Sequence, residues 1–392
     1  MRVVEIGKLL FNISAMTVDS SPQRISRLTA LEAVLASVAR IEPVTARACS
    51  LSAAQGRILA ADVTAAKLPP HPVALRDGFA VAASAVADAS SYAPILLAPA
   101  PPRVDAGAPM PPGADAVLPL DALAFHGEHA EALAAIAPGE GVLAAGGDAS
   151  PQTVLRRAGA YLRASDIAVM TAAGIADISV REPRIRIACG GAAKTPLVQA
   201  GVDMLTRAVA AAGGTVFETD STPERVYEAL GEARAHAGFI VGGTGSGRGD
   251  ASVRTLAKFG RVETYGVAIS PGETAALGFV GEGPVLLIPG RLDSALAIWL
   301  LIGRHITARL GGGHVVDVPQ MLPLKRKVVS TIGLTELVPV RTEQAGRHTV
   351  ADPLASGYLS FEVLTGSDGW IVVPPDSEGF AAGTQVAVRP WP

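Results

Sequence analysis

The chain is predicted to be a multidomain protein of the α/β plus β class, and three observations lead there. Its 392 residues exceed the ~250–300 residues at which a single hydrophobic core stops growing. Between Pro183 and Gly313, short apolar runs alternate with helical stretches, the pattern of βαβ units. Over 45–139 and 314–392, proline and glycine instead cut the chain into short runs that suit strands and turns. Hydrophobic residues make up 49% and charged ones 18%. No uncharged stretch reaches the ~18–20 apolar residues of a transmembrane helix, so a soluble protein with no membrane partner is expected. A net charge of −3 and a pI near 6.2 argue against nucleic acid, whose binders usually carry a basic face. Cys49 and Cys189 lie far apart with no histidine or cysteine at ligand spacing. Neither a disulfide framework nor a zinc site is expected, and the reducing cytoplasm is the expected location.

Taken in order, the first twenty residues have a basic residue and some apolar character but no cleavage order, and read as an arm. TALEAVLASVAR (29–40) repeats apolar side chains at helical spacing, with Thr29 as N-cap and Glu32 completing a capping box. Residues 45–139 form an inserted β-rich domain. Helical periodicity returns over 146–175, with Gly159 and Gly174 as helix stops. Residues 24–44 and 140–182 together are therefore expected to make a helical linker domain. From 183 to 313, RIRIACGG, VDMLTRAVAAAG, GTVFET, PERVYEALGEARAHA and GFIVGG predict right-handed βαβ units around a parallel sheet, a three-layer α/β domain. VETYGVAIS, TAALGFV and PVLLIPG follow, and then the helix-like SALAIWLLIGRHITARLGGG, ended by three glycines. The tail 314–392 reads as a small β-barrel or sandwich.

In such sheets ligands sit beyond the carboxyl ends of the strands. Three loops leave strand ends there: Cys189–Lys194, Gly242–Asp250 and Pro289–Asp293. The second, GGTGSGRGD, holds five glycines, one threonine and one serine before Asp250. Residues without a Cβ let a backbone close on phosphate oxygens at positive φ, and the helical stretch Ala251–Phe259 follows. Asp250 either holds a divalent cation or caps that helix. From the residues alone, Asp77 begins an Asp-Gly turn and Asp148, after two glycines and before Ser150-Pro151, reads as a helix cap. Arg248 and Arg291 offer guanidinium forks to an oxyanion or stand solvated at the surface. Cys189 reads as a small buried hydrophobe.

The order of segments resembles the molybdopterin molybdenumtransferase family, which includes the E domain of gephyrin, from about residue 28 to 390. The motifs are LPPHPVALRDGFAV (68–81), DAGAPMPPGADAV (105–117), GGD (146–148), GGTGSGRGD (242–250), SPGE (270–273) and IPGRLDSA (288–295). The resemblance implies a molybdopterin-binding α/β domain, a C-terminal β-barrel and an elongated homodimer. It implies hydrolysis of adenylylated molybdopterin and placement of molybdate on its dithiolene with a divalent cation, Mg2+. Carried onto this chain, Asp250, Asp77 and Asp148 would be catalytic, with Asp250 on the metal. Gly242, Gly243, Thr244, Gly245, Ser246, Gly247 and Arg248 would hold the ligand with Ser270, Pro289, Gly290, Arg291 and Ser294. A recipient molybdoenzyme or the adenylyltransferase would be a further partner.

Several positions depart from the pattern. Cys189-Gly190-Gly191-Ala192 replaces Thr-Gly-Asp-Glu, and Ser270-Pro271-Gly272-Glu273 replaces Lys-Pro-Gly-Lys. Arg291-Leu292-Asp293-Ser294 stands where Asn-Pro-Val-Ser is usual, and Ala106 where a threonine is. Replacing two ammonium groups with a hydroxyl and a carboxylate reverses the field near a dianion. The alternative is thus a catalytically degenerate carrier or chaperone that binds molybdopterin for a molybdoenzyme. GGTG also resembles the loop of molybdopterin adenylyltransferases, a third and weaker reading.

Overall fold

The computed structural model describes residues 23–191, 194–217, 222–346 and 348–391. The expectation for the first twenty residues and the substitution at Ala192 lie outside them. The described chain falls into two compact units: one running to Val44 and resuming at Glu182, the other Thr45–Arg181.

In the first unit a six-stranded sheet has the order 215–216, 184–189, 237–241, 283–288, 276–280 and 261–265. The first four strands are parallel. The fifth, 276–280, runs antiparallel to both its neighbours, so that 261–265 points the same way as the first four; this corrects the expectation of a parallel sheet. The cause is local: Val280 pairs directly with Gly283, and Gly281 adopts φ +57°. So short a link closes a hairpin and leaves no room for a crossover helix. Helices cover both faces. Pro196–Ala211 and the chain 292–310 bury Val202, Leu205, Ile298 and Ile306 against Ile187 and Phe239 on one side. Pro223–Gly231 and Ser252–Phe259 bury Val226, Tyr227 and Leu256 against Ile240 and Leu287 on the other. Apolar residues on every position of Ala237–Val241 are what a strand covered on both faces requires.

The helix Leu31–Ala39 joins the first of these layers through Leu31, Val34 and Val38. Its expected capping box is absent. Ala30 is the N-cap, without a side-chain bond, because Thr29 is held extended by backbone bonds to Gly266 and Ala268. The C-terminal strands 335–345, 369–373, 385–390 and 320–323 pair in succession, and 348–353 returns to the first. A bridge from Leu324 to Ala351 closes the circuit into a small barrel around Leu322, Val338, Val340, Ile371 and Val388. Ile269–Ser270 pairs with Thr335–Glu336 and so sews the α/β layer to this barrel.

The second unit is β-rich. Sheets formed by 103–104, 78–81 and 116–118, and by 95–97, 129–132 and 123–126, enclose Phe79, Val81, Leu118 and Leu123. The helical periodicity expected over 146–175 yields one helix, Ala164–Ala172, closed as expected by Gly174 at φ +74°. Gly159 instead takes its φ of +79° after the strand Val154–Arg156. Asp177–Arg181 pairs with Arg47–Ser50 and with Ile58–Leu59, so its partners lie more than a hundred residues upstream.

Candidate functional site

The strand 184–189 is flanked by 215–216 on one side and 237–241 on the other, and the helices that follow the first two of these strands lie on opposite faces. A crevice opens where connections diverge in this way. The loops after 184–189, 237–241 and 283–288 meet there. Gly190 donates its N–H to Val241, and Gly242 donates to Ile288, both at 2.7 Å. The contact is backbone against backbone. A Cβ on Gly190 would lie 2.4 Å from the Gly242 carbonyl oxygen, and one on Gly243, at φ +71°, 2.4 Å from Ser252 Oγ. Gly190, which keeps the glycine of the family's Thr-Gly-Asp-Glu, thus allows a close approach of two loops, while Gly191, at the first of the two acidic positions, adopts φ +86° beside Gly243.

Gly242, Gly243, Thr244, Gly245, Gly249 and Asp250 line a cleft of about 510 Å³ with Gly190, Gly191, Pro289, Gly290 and Arg291. The N–H groups of Gly243, Thr244 and Gly245 have no protein partner among the described residues. Three such consecutive donors form a nest of the kind that binds anions. The hydroxyls of the same loop are occupied. Thr244 Oγ1 lies 3.0 Å from Thr274 Oγ1, and Ser246 Oγ donates to the Gln23 carbonyl. Asp250 does not cap the following helix, whose N-cap is Ala251. Its Oδ2 accepts from Gly247 N–H at 2.9 Å and fixes the turn. Burial, then the nearby Asp250 carboxylate, raises the Tyr265 pKa, and the Tyr265 hydroxyl donates to the Thr244 carbonyl at 2.9 Å. Ser246, Gly247 and Arg248 stand at the exposed tip and do not line the cleft.

A second cleft, of about 490 Å³, shares Thr274, Pro289 and Arg291 with the first. Ser270, Glu273, Asp293, Ser294 and Tyr358 complete its walls. Here the polar groups are largely committed to one another. The fork of Arg291 closes on Asp293 through Nε at 3.1 Å and Nη2 at 2.7 Å, and its plane lies 4.4 Å from the Tyr358 ring centre. The hydrogen bond to Asp293 raises the Arg291 pKa further. Asp293 is buried at 3% exposure and also accepts from Ser294 N–H and Leu359 N–H. Glu273 Oε2 accepts from Gly272 N–H. With Arg291 neutralised by Asp293, Glu273 leaves the cleft with a negative balance. No group of three or more His, Cys, Asp or Glu side chains capable of holding a metal occurs among the described residues.

Asp77 and Asp148 belong to the second unit. Asp77 Oδ1 accepts from Ala106 N–H at 2.8 Å, and Asp148 is exposed with its own N–H on Leu68. Cys189, expected to be a small buried hydrophobe, is only half-buried: it packs against the core and also lines a further cleft with Lys194 and Glu224. Sequence reasoning missed Thr274, Tyr358 and Gln23, and noted Asp293 only as a substitution. Asp293 carried a readable signal, an acid two residues from Arg291 at a strand-to-helix turn.

A three-layer α/β domain with an anion nest at its switch point, sewn to a small barrel, defines the class of protein. The chain matches the MoeA N-terminal region (domain I and II) over 25–174 and the MoeA C-terminal region (domain IV) over 321–391. It is 29% identical over 312 residues to molybdopterin molybdenumtransferase 1 of Mycobacterium tuberculosis, covering 73% of each chain. It is 25% identical over 373 residues to a putative molybdopterin biosynthesis protein of Methanocaldococcus jannaschii, covering 86% of this chain and 89% of the relative. A crystal structure of the MoeA protein of Pyrococcus horikoshii superposes with a TM-score of 0.72 at 23% identity, covering 93% of this chain and all of that one. The chain belongs to the MoeA family.

Proposed function

We propose that the chain acts in molybdenum cofactor biosynthesis, binding adenylylated molybdopterin in the glycine-loop cleft and inserting molybdate into its dithiolene with release of AMP. The observation that carries this reading is the row of unpartnered N–H groups on Gly243, Thr244 and Gly245 in a cleft continuous with a second one. In this reading the nest holds the ligand's phosphate. Pro289 and Arg291, common to both clefts, lie along its path towards Ser270 and Ser294.

The residues present fit magnesium in part. Asp250 Oδ2 is engaged by Gly247, which leaves Oδ1 as an oxygen donor beside the nest. Magnesium needs only one or two carboxylates when phosphates and water complete its shell. When bound, the ion would polarise the phosphate linkage. Molybdate, a substrate, must enter a cleft where Glu273 opposes it and Arg291 is shared with Asp293; the Thr274 hydroxyl is paired with Thr244 and that of Ser294 donates to Asp293, so the Ser270 hydroxyl is the neutral donor left to meet it among the described residues. Family membership also supports a cytoplasmic homodimer and the four-domain division of the chain, and light scattering at micromolar concentration that returned a monomer would contradict the dimer.

The reading is tested by titrating molybdopterin anaerobically into the wild-type and Gly243→Ala proteins. Binding by the wild type and its loss in the variant is the expected result. Equal binding by both would remove the nest from the site.

A further inference from the structure

We infer that Gln23 is a positioning residue for ligand binding, a clamp that sets the glycine loop from behind so that its N–H groups stay free. The inference rests on the cleft being the molybdopterin site. Gln23 lies two residues upstream of the matched N-terminal region and is 6% exposed. Its Nε2 donates to the carbonyls of Gly243 and Gly245 at 3.1 and 3.0 Å. Its Oε1 accepts from Val253 and Arg254 N–H at 2.9 and 3.2 Å. Its backbone carbonyl accepts from Ser246 Oγ at 2.9 Å. One side chain 220 residues away thus spans the loop and the start of the following helix.

Two consequences follow for the chemistry of the cleft. The first N–H groups of that helix are consumed, those of Val253 and Arg254 by Gln23 and that of Ser252 by the Gly243 carbonyl. An anion in the cleft therefore meets the loop's N–H groups rather than the helix terminus. With the Gly243 and Gly245 carbonyls held on Gln23, the peptides carrying them are fixed in orientation, and no rearrangement of the loop has to accompany binding. The clamp needs a donor on one side and an acceptor on the other, which an amide supplies and a carboxylate does not.

The experiment compares Gln23→Ala and Gln23→Glu with the wild type, by molybdopterin affinity at pH 8 and pH 5.5 and by amide exchange in the unliganded proteins. A carboxylate at 23 would face two carbonyl oxygens at about 3 Å, and protonation would restore one donor. Relative to wild type at the same pH, Gln23→Glu is expected to bind at least tenfold more weakly at pH 8 and within about threefold at pH 5.5. Gln23→Ala is expected to be at least tenfold weaker at both, with faster exchange at Val253 and Arg254 and unchanged exchange over Ala237–Val241. Wild-type affinity in both variants, a Gln23→Glu defect independent of pH, or exchange accelerated across Ala237–Val241 would overturn the proposal. Failure of the wild type to bind molybdopterin would refute the reading of the cleft instead, and exchange at Val253 and Arg254 would still test the clamp.

Discussion

In the glycine-loop cleft the free donors are backbone N–H groups, whereas in the neighbouring cleft the polar groups are side chains already paired with one another. Both lie at the carboxyl ends of one sheet and share Thr274, Pro289 and Arg291. A nest made of backbone depends on glycine, on close packing and on the Gln23 clamp behind it, so substitutions among the side chains that line the cleft leave its donors in place. A cleft that depends on charged side chains is rewired by each substitution. This is where serine and glutamate stand at the ends of Ser270–Glu273, and where Arg291 and Asp293 form a pair.

The contrast can be broken most strongly at the backbone cleft. Gly190→Ala would place a Cβ 2.4 Å from a carbonyl oxygen and 2.5 Å from Ser252 Oγ, with backbone on one side that cannot yield. We expect molybdopterin affinity to fall by about a hundredfold, read by the same titration. In the second cleft, Asp293→Ala leaves the Arg291 fork and the Leu359 and Ser294 N–H groups without their acceptor. Breaking a fully buried pair costs ~3–5 kcal/mol, and the half-exposed position of Arg291 reduces this to about 2–3 kcal/mol, measured by denaturant unfolding.

Asp250→Asn retains an acceptor for Gly247 N–H but removes the charge. The magnesium concentration giving half-maximal activity should rise about tenfold, while molybdopterin affinity without magnesium stays near wild type. The smallest effect is expected at Glu273→Lys. Reversing that charge should strengthen molybdate binding by about fivefold, measured by competition with molybdopterin present; no change would mean that molybdate does not enter this cleft.

How far the sequence discloses all this depends on the distance over which each feature is determined. The alternation from Pro183, the glycine loop and the helix stop at Gly174 are local patterns and are legible. The strand Asp177–Arg181 is hidden because its partners are Arg47–Ser50 and Ile58–Leu59, and the segment before it shows helical periodicity. The same limit applies to the site. Gly242–Asp250 announces itself through composition, but the commitment of Arg291 depends on Asp293, Leu359 and Tyr358 meeting in three dimensions. Gln23 offers no signal at all, since its four side-chain bonds reach residues 220 and more positions away. Thr29 shows the converse: the residues of a capping box are present, and pairing with Val267 overrides them.

The most direct test of the account is turnover by the purified protein with adenylylated molybdopterin, magnesium and molybdate, measuring released AMP together with reconstitution of a cofactor-free molybdoenzyme. The account predicts both, in proportion. AMP release and reconstitution both absent while molybdopterin is demonstrably bound would contradict it, and would mean that the paired side chains of the second cleft no longer support metal insertion.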